Sequence, residues 1–290
     1  MNQSHSNQMT GKAVVVTGAT GGIGRATARG LAMMGAHLII TGRDPGRTKE
    51  TAQEIRAAGG GKVDAFVADL SSQTQIRHLA DELLTTFPRI DVLINNAGGY
   101  WNTRRTTADG LEHTFALNHL APFLLTNLLL KRLQLSGPAR VVTVASNAQA
   151  MGRIDFNDLQ GEHSYSGARA YNQSKLANLL FTYELDRRLH GTGVTANALH
   201  PGMVSTRFGA EDPGRAQRLL VPILRPFMLT TAQGAATSVH LAAAPDLAQV
   251  SGRFFAKRKP RASSPASYDL ATAATLWNVS AEMTGLTPAG

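Results

Sequence analysis

Tyr171 and Lys175 lie four residues apart in a stretch of helical periodicity, so their side chains emerge on one face, one turn apart. A free phenol titrates at about 10, and a neighbouring ammonium favours phenolate over phenol. Tyr171 is therefore a candidate general base toward an alcohol, and in its protonated form a donor to a carbonyl oxygen. Ser146 closes an expected strand over residues 141–146, where its hydroxyl can hydrogen-bond that oxygen and stabilise negative charge developing on it. Singly, a serine at a strand end or a Tyr–Lys helix pair is an ordinary structural feature. Together they describe a site for proton transfer to or from oxygen.

A second constellation stands near the amino end. Thr17-Gly18-Ala19-Thr20-Gly21-Gly22-Ile23-Gly24 follows the apolar run at residues 13–16 and opens a helical pattern. A glycine turn there lets backbone approach a pyrophosphate and aims a helix N-terminus at its charge, although such turns also serve structure alone. Asn95-Asn96-Ala97-Gly98 ends another strand and offers a second close-approach turn. Asp69, after the third strand, can accept from an adenine amino group or cap the next helix. Arg43 follows the second strand, where ribose recognition is expected, with Gly42 and no acidic residue at the strand end. With Arg25 as a second cation it favours a ribose 2′-phosphate, hence NADP(H), leaving NAD(H) as the open alternative. Asp44 opposes this preference, since it can accept from an unmodified ribose or pair with an arginine.

These residues need a frame. Apolar runs at residues 13–17, 37–41, 63–68, 92–95, 141–146 and 194–199 alternate with helical patterns around 24–34, 48–58, 72–86, 111–133 and 170–189. Residues 252–255 add a last short strand. Repeated β-to-α alternation predicts an α/β, Rossmann-like three-layer sandwich around a mostly parallel, doubly wound sheet. Leu176, Leu179, Leu180 and Tyr183 form one apolar stripe, serving either the chain's own core or a second subunit. Residues 1–10 read as a flexible tail and 11–290 as one domain. The proline-interrupted apolar stretch 207–230 reads as a substrate lid, with an ordinary packed insertion as the alternative, and the Ser- and Pro-rich 260s as a surface loop.

Composition limits the choices. At 43% hydrophobic and 17% charged residues, the 290-residue chain can bury a large core. The net charge of +9 raises nucleic-acid binding, but the cations are dispersed and lack an aromatic stacking ladder. Absence of cysteine excludes disulfides and thiol catalysis. No apolar run has the length of a membrane span, so neither a nucleic-acid nor a membrane partner is expected and the expected location is cytoplasmic. Asp155, Asp158, Glu162 and His163 match no metal-ligand spacing, so no metal is expected, and Ser146 lies in no G-x-S-x-G elbow.

Thr17 to Gly24, Asn95 to Gly98, Asn118, Ser146 and Tyr171 through Lys175 together resemble the short-chain dehydrogenase/reductase family over most of the chain. Asn118-His119-Leu120, Asp158-Leu159, Leu199-His200-Pro201-Gly202 and Leu276-Trp277-Asn278-Val279-Ser280 are similar to its retinol-dehydrogenase-like and carbonyl-reductase branch. Ala121-Pro122 departs from the Gly-His pair usual there. The resemblance implies hydride exchange with a nicotinamide and a catalytic set of Asn118, Ser146, Tyr171 and Lys175, with Asn118 supporting a proton relay and Lys175 also reaching the nicotinamide ribose. The expected cofactor contacts are Gly18, Thr20, Gly21, Gly22, Ile23, Gly24, Arg25, Arg43, Asp69, Leu70, Asn96, Ala97, Gly98, Tyr171, Lys175, Pro201, Gly202, Val204 and Thr206.

Tyr100, Trp101 and His200, with Ser146, are expected to line a cleft for a small hydrophobic carbonyl or alcohol; Tyr100 and Trp101 serve equally well as rim packing. The expected activity is reversible reduction of a hydrophobic aldehyde or ketone in a homodimer or homotetramer. The alternative is a non-catalytic nucleotide-binding regulatory or scaffold protein.

Overall fold

The short apolar runs form strands, the inner ones buried on both faces, the pattern of a parallel sheet covered by helices on each side. In the computed structural model, which describes residues 7–59, 61–205, 211–212 and 228–287, these are β1 (Ala13–Val16), β2 (His37–Gly42), β3 (Val63–Val67), β4 (Val92–Asn95), β5 (Ala139–Val144), β6 (Val194–His200) and β7 (Arg253–Ala256). A short β8 (Lys259–Arg261) pairs antiparallel with β7. The order β3-β2-β1-β4-β5-β6-β7-β8 is parallel through β7.

One core layer contains α1 (Gly22–Ala32), α2 (Pro45–Ala57) and α7 (Thr231–Ala243), whose Ala28, Leu31, Ile55 and Leu241 pack with Val14, Val16 and Ile40. The opposite layer contains α3 (Gln73–Thr86), α5 (Ala121–Ser136), α6 (Gly167–Arg188) and α8 (Leu270–Met283). The chain is thus a three-layer Rossmann-type sandwich. The chain runs outward from β1 to β2 and β3 and then crosses back to place β4 on the other side of β1, which opens a crevice at the carboxyl ends of β1 and β4. Helix starts follow side-chain chemistry: Asp44 accepts from the Arg47 N–H and Ser72 from that of Gln75.

Several boundaries differ from the sequence expectation. The expected helix 111–133 is α4 (His113–Phe115), a π-turn at Ala116–Leu120 and then α5. β5 ends at Val144, so Ser146 lies beyond the strand and caps a 3-10 turn, Asn147–Met151. The 260s are not simply a loop: they contain the end of β8 and a 3-10 turn at Pro265–Tyr268. Within the stretch 1–10 expected as a flexible tail, Met9 is buried and Gln8 donates to the Ala243 carbonyl. The expected lid at 207–230 lies outside the described residues except for Glu211, Asp212 and residues 228–230. The Leu176, Leu179 and Leu180 stripe is buried within its own chain, Leu176 and Leu180 in a cluster with Leu276 of α8. No described helix is long and apolar enough to cross a membrane.

Candidate active site

The glycine turn after β1 is shaped by close approach. A Cβ on Gly18 would lie 2.9 Å from the Ala97 Cα, and one on Gly24 would lie 2.3 Å from the Gly18 carbonyl oxygen and 2.4 Å from Asn96 Nδ2. Thr17 Oγ1 accepts from the backbone N–H groups of Asn96 and Ala97, at 2.9 and 3.0 Å. Asn96 Nδ2 donates in return to the Thr17 and Gly18 carbonyls. The two turns are thereby locked into one surface at the switch point. α1 begins at Gly21 without a side-chain cap, leaving its first N–H groups directed at whatever lies before the helix. Uncapped donors, glycines with no room for a side chain and adjacent arginines fit the pyrophosphate and ribose of a dinucleotide. Ile23 and Val204 meet over Gly234 of α7, tying the helix start to the chain beyond β6.

Other expected cofactor residues are dispersed around this surface. Asp69 Oδ1 accepts from the Ser71 N–H and hydroxyl, so one of its oxygens organises the turn before α3, and Leu70 beside it is buried. Gly202 has φ +91, and a Cβ there would meet Leu229 at 2.5 Å, so Pro201-Gly202 turns tightly after β6. Thr206 lies outside the described residues. Arg25 forms an exposed 3.1 Å pair with Glu54, while Arg43 is joined to Glu211. Thr20 and Ala97 lie in the two turns themselves, and Gly22 opens α1.

The four expected catalytic residues come together from different elements. The π-turn holds Asn118 buried; its Oδ1 accepts from the Gly99 N–H at 2.8 Å, and its Nδ2 donates to the Gly99 carbonyl and to Ser174 Oγ, both at 3.0 Å. Ser174 Oγ donates to the Tyr171 carbonyl at 2.7 Å, linking the π-turn to the turn of α6 that bears Tyr171. Lys175 is buried beneath the site, its Nζ donating to the Val144 carbonyl at 3.2 Å and lying 5.5 Å from the centre of the Tyr171 ring. Gly98 leaves a gap above it: a Cβ there would lie 2.9 Å from Asn118 Oδ1 and 3.6 Å from Lys175 Nζ.

Burial pushes the Tyr171 phenol up to about 12, and a hydrogen bond with Ser146 opposes the rise. Burial also lowers the Lys175 ammonium to about 8. The expected depression of Tyr171 by Lys175 is therefore not what this geometry produces, because desolvation of the phenolate outweighs it. The phenol keeps its proton at neutral pH, the form that donates to a carbonyl oxygen.

The substrate residues separate. The Tyr100 ring packs edge-to-face with Tyr171 at 5.6 Å, and its hydroxyl donates to Asn102. Trp101, expected beside it, is instead buried edge-on to His113 at 4.3 Å, with the backbone of Gly99 and Gly167 against it. His200 Nδ1 accepts from the Asn147 N–H, which places the ring proton of the neutral imidazole on Nε2. Burial holds that imidazole below its usual pKa. Among the described residues no acidic or histidine group is arranged to hold a metal; Asp158 accepts instead from the N–H groups of Glu162, His163 and Ser164. The sequence motifs include Thr17 and Ser174 but assign neither a role; Thr17 carries a signal, a hydroxyl at the last position before the glycine turn.

A family model described as short chain dehydrogenase matches residues 12–215. The chain belongs to the short-chain dehydrogenases. It is 44% identical to retinol dehydrogenase 14 of Mus musculus, covering 96% of this chain and 87% of that one. It is 46% identical to retinol dehydrogenase 12 of the same organism, over 96% and 88% of the two chains. Among solved structures, the Pseudomonas aeruginosa RhlG/NADP active-site complex superposes with a TM-score of 0.68 at 28% identity, covering 87% of this chain and 96% of that one. An oxidoreductase of this family, built around a nucleotide-binding Rossmann sheet and related to retinol dehydrogenases, thus carries the Asn118, Ser146, Tyr171 and Lys175 cluster.

Proposed function

We propose that this short-chain dehydrogenase interconverts a hydrophobic aldehyde or ketone with its alcohol, using NADP(H) in preference to NAD(H). The observation that carries the reading is the convergence of the Tyr171 phenol, hydrogen-bonded with Ser146, with buried Lys175 and Asn118 beside the glycine cradle. The bound nicotinamide supplies or accepts the hydride. Tyr171 donates its proton to the carbonyl oxygen during reduction and recovers it during oxidation. Ser146 holds the same oxygen and stabilises the charge it gains. Lys175 keeps a positive charge beneath the site, and Asn118 fixes the backbone of Gly99 and, through Ser174, the turn bearing Tyr171. Tyr100 and His200 line the approach, and the aromatic face of Tyr100 favours an apolar substrate.

Arg43 supports the cofactor preference, and a structural relative of this chain is described as an NADP complex. Names of relatives as retinol dehydrogenases support an apolar alcohol or aldehyde. Assembly as a homodimer or homotetramer is part of the proposal, using surfaces other than the Leu176–Leu180 stripe.

The test is a panel of hydrophobic aldehydes, ketones and alcohols followed at the nicotinamide absorbance, with NADPH and NADH side by side. Turnover of an apolar carbonyl with NADPH favoured is the expected result. Tight cofactor binding with no turnover across the panel would support a purely nucleotide-binding protein, and equal use of both cofactors would remove the phosphate argument.

A further inference from the structure

Three arginines stand at the corner where the cofactor's ribose is proposed to lie, and they are not equivalent. Arg25 is paired with Glu54 of α2. Arg47, in the first turn of α2, has a guanidinium nitrogen 3.6 Å from where a Cβ on Gly21 would stand, and its side chain makes no ion pair among the described residues. Arg43, the cation expected to read a 2′-phosphate, is engaged by the Glu211 carboxylate, 168 residues away in the chain.

Glu211 is held there by its neighbour. The Asp212 carboxylate accepts from the Thr103 N–H at 2.7 Å and from the Thr103 hydroxyl, while its carbonyl accepts from Asn102 Nδ2 at 2.5 Å. Those hydrogen bonds keep Asp212 below the usual carboxylate range. Asn102 and Thr103 follow Tyr100 in the loop after β4. The Glu211-Asp212 dipeptide therefore spans from the substrate-side loop to the ribose-side arginine.

We propose that Glu211 is a specificity-determining residue: an internal counter-ion whose carboxylate competes with the cofactor's 2′-phosphate for Arg43 and so sets how strongly the site distinguishes NADPH from NADH. The inference rests on the cofactor reading above. A phosphate dianion displaces a carboxylate from an arginine because it offers more charge and a fork of oxygens matching the guanidinium. Both partners are largely exposed, with side chains 59% and 48% accessible, so the resident pair is weak and screened and the exchange is easy. Arg47 supplies a second cation beside the same turn, able to receive the phosphate while Arg43 changes partner. With NADH, Arg43 stays on Glu211, and that carboxylate remains in place beside the unphosphorylated ribose.

The experiment measures dissociation constants of NADPH and NADH by nicotinamide fluorescence for the full chain, Glu211→Gln, Arg43→Gln and the double variant at fixed ionic strength. Glu211→Gln is expected to raise the ratio of NADH to NADPH dissociation constants about twofold to fivefold, the scale of an exposed ion pair. In the Arg43→Gln background the same change is expected to leave the ratio where it was. An unchanged or lower ratio in Glu211→Gln, or an equal rise without Arg43, overturns the proposal. A wild-type chain with no preference overturns the cofactor reading separately. In that event a preference appearing in Glu211→Gln still supports the role of Glu211, and its absence removes both.

Discussion

Tyr171 and Lys175 share surroundings of low polarity that disfavour the charged form of each, raising the phenol to about 12 and lowering the ammonium to about 8. Lys175 is the group nearer to neutrality, so kcat/KM for carbonyl reduction is expected to fall on the alkaline side with an apparent pKa closer to 8 than to 12. A profile flat to pH 11 would contradict this. Tyr171→Phe keeps the ring and removes the transferable proton, and is expected to lower kcat at least about a hundredfold on a confirmed substrate. Burial of the lysine also has a stability consequence. Its folded pKa lies below the unfolded value of 10.5, so the unfolded chain holds more protons between about pH 8 and 10.5 and stability rises with pH through that window. Below pH 8 the full penalty is present, on the order of 3 kcal/mol. Lys175→Met is therefore expected to raise the stability of the cofactor-free protein by about 1–3 kcal/mol in urea titrations while activity collapses. A destabilised variant would show that the Val144 hydrogen bond outweighs desolvation.

Elements carried the site into view unevenly. The parallel strands were legible because each is a short apolar run, and α6 because Leu176, Leu179 and Leu180 repeat at helical spacing. The π-turn was not legible: residues 111–133 read as one apolar helical pattern in which only Pro122 marks a break, and the extra residue per turn that orients Asn118 goes with its bonds to Gly99 and Ser174. Ser146 reads as part of a strand because residues 141–145 are β-branched or apolar, yet the register of β5 with β6 ends at Val144 paired with Leu199. α7 went unread because its alanines and small polar residues give no strong stripe, although Thr230 and Gln233 form a reciprocal capping box at its start. Thr230→Ala is expected to cost about 1 kcal/mol in thermal or urea unfolding, with Thr230→Ser restoring most of it. β8 was hidden by its composition, since Lys259, Pro260 and Arg261 suit only an edge strand. The pairing of Arg43 with Glu211 was also out of reach, because nothing local links residues so far apart in the chain.

At the scale of the molecule, α8 closes the layer behind α6. Trp277 stacks on Phe181 at 5.9 Å, meets Phe123 edge-on at 4.9 Å and lies under the Arg188 guanidinium at 4.4 Å. Ser280 of the same helix bonds to His119, the buried neighbour of Asn118, whose imidazole is driven down to about 3 and so stays neutral. Trp277→Ala is expected to cost about 3–5 kcal/mol, read from the denaturation midpoint. A smaller loss would mean that the surrounding rings collapse into the space. The leucines that α8 covers, Leu176 and Leu180, form the apolar stripe of α6. α8 thus acts as a cover over α6, and a chain cut before Leu270 would carry an adhesive face: it should clump or pair with its own kind through leucines that α8 otherwise hides.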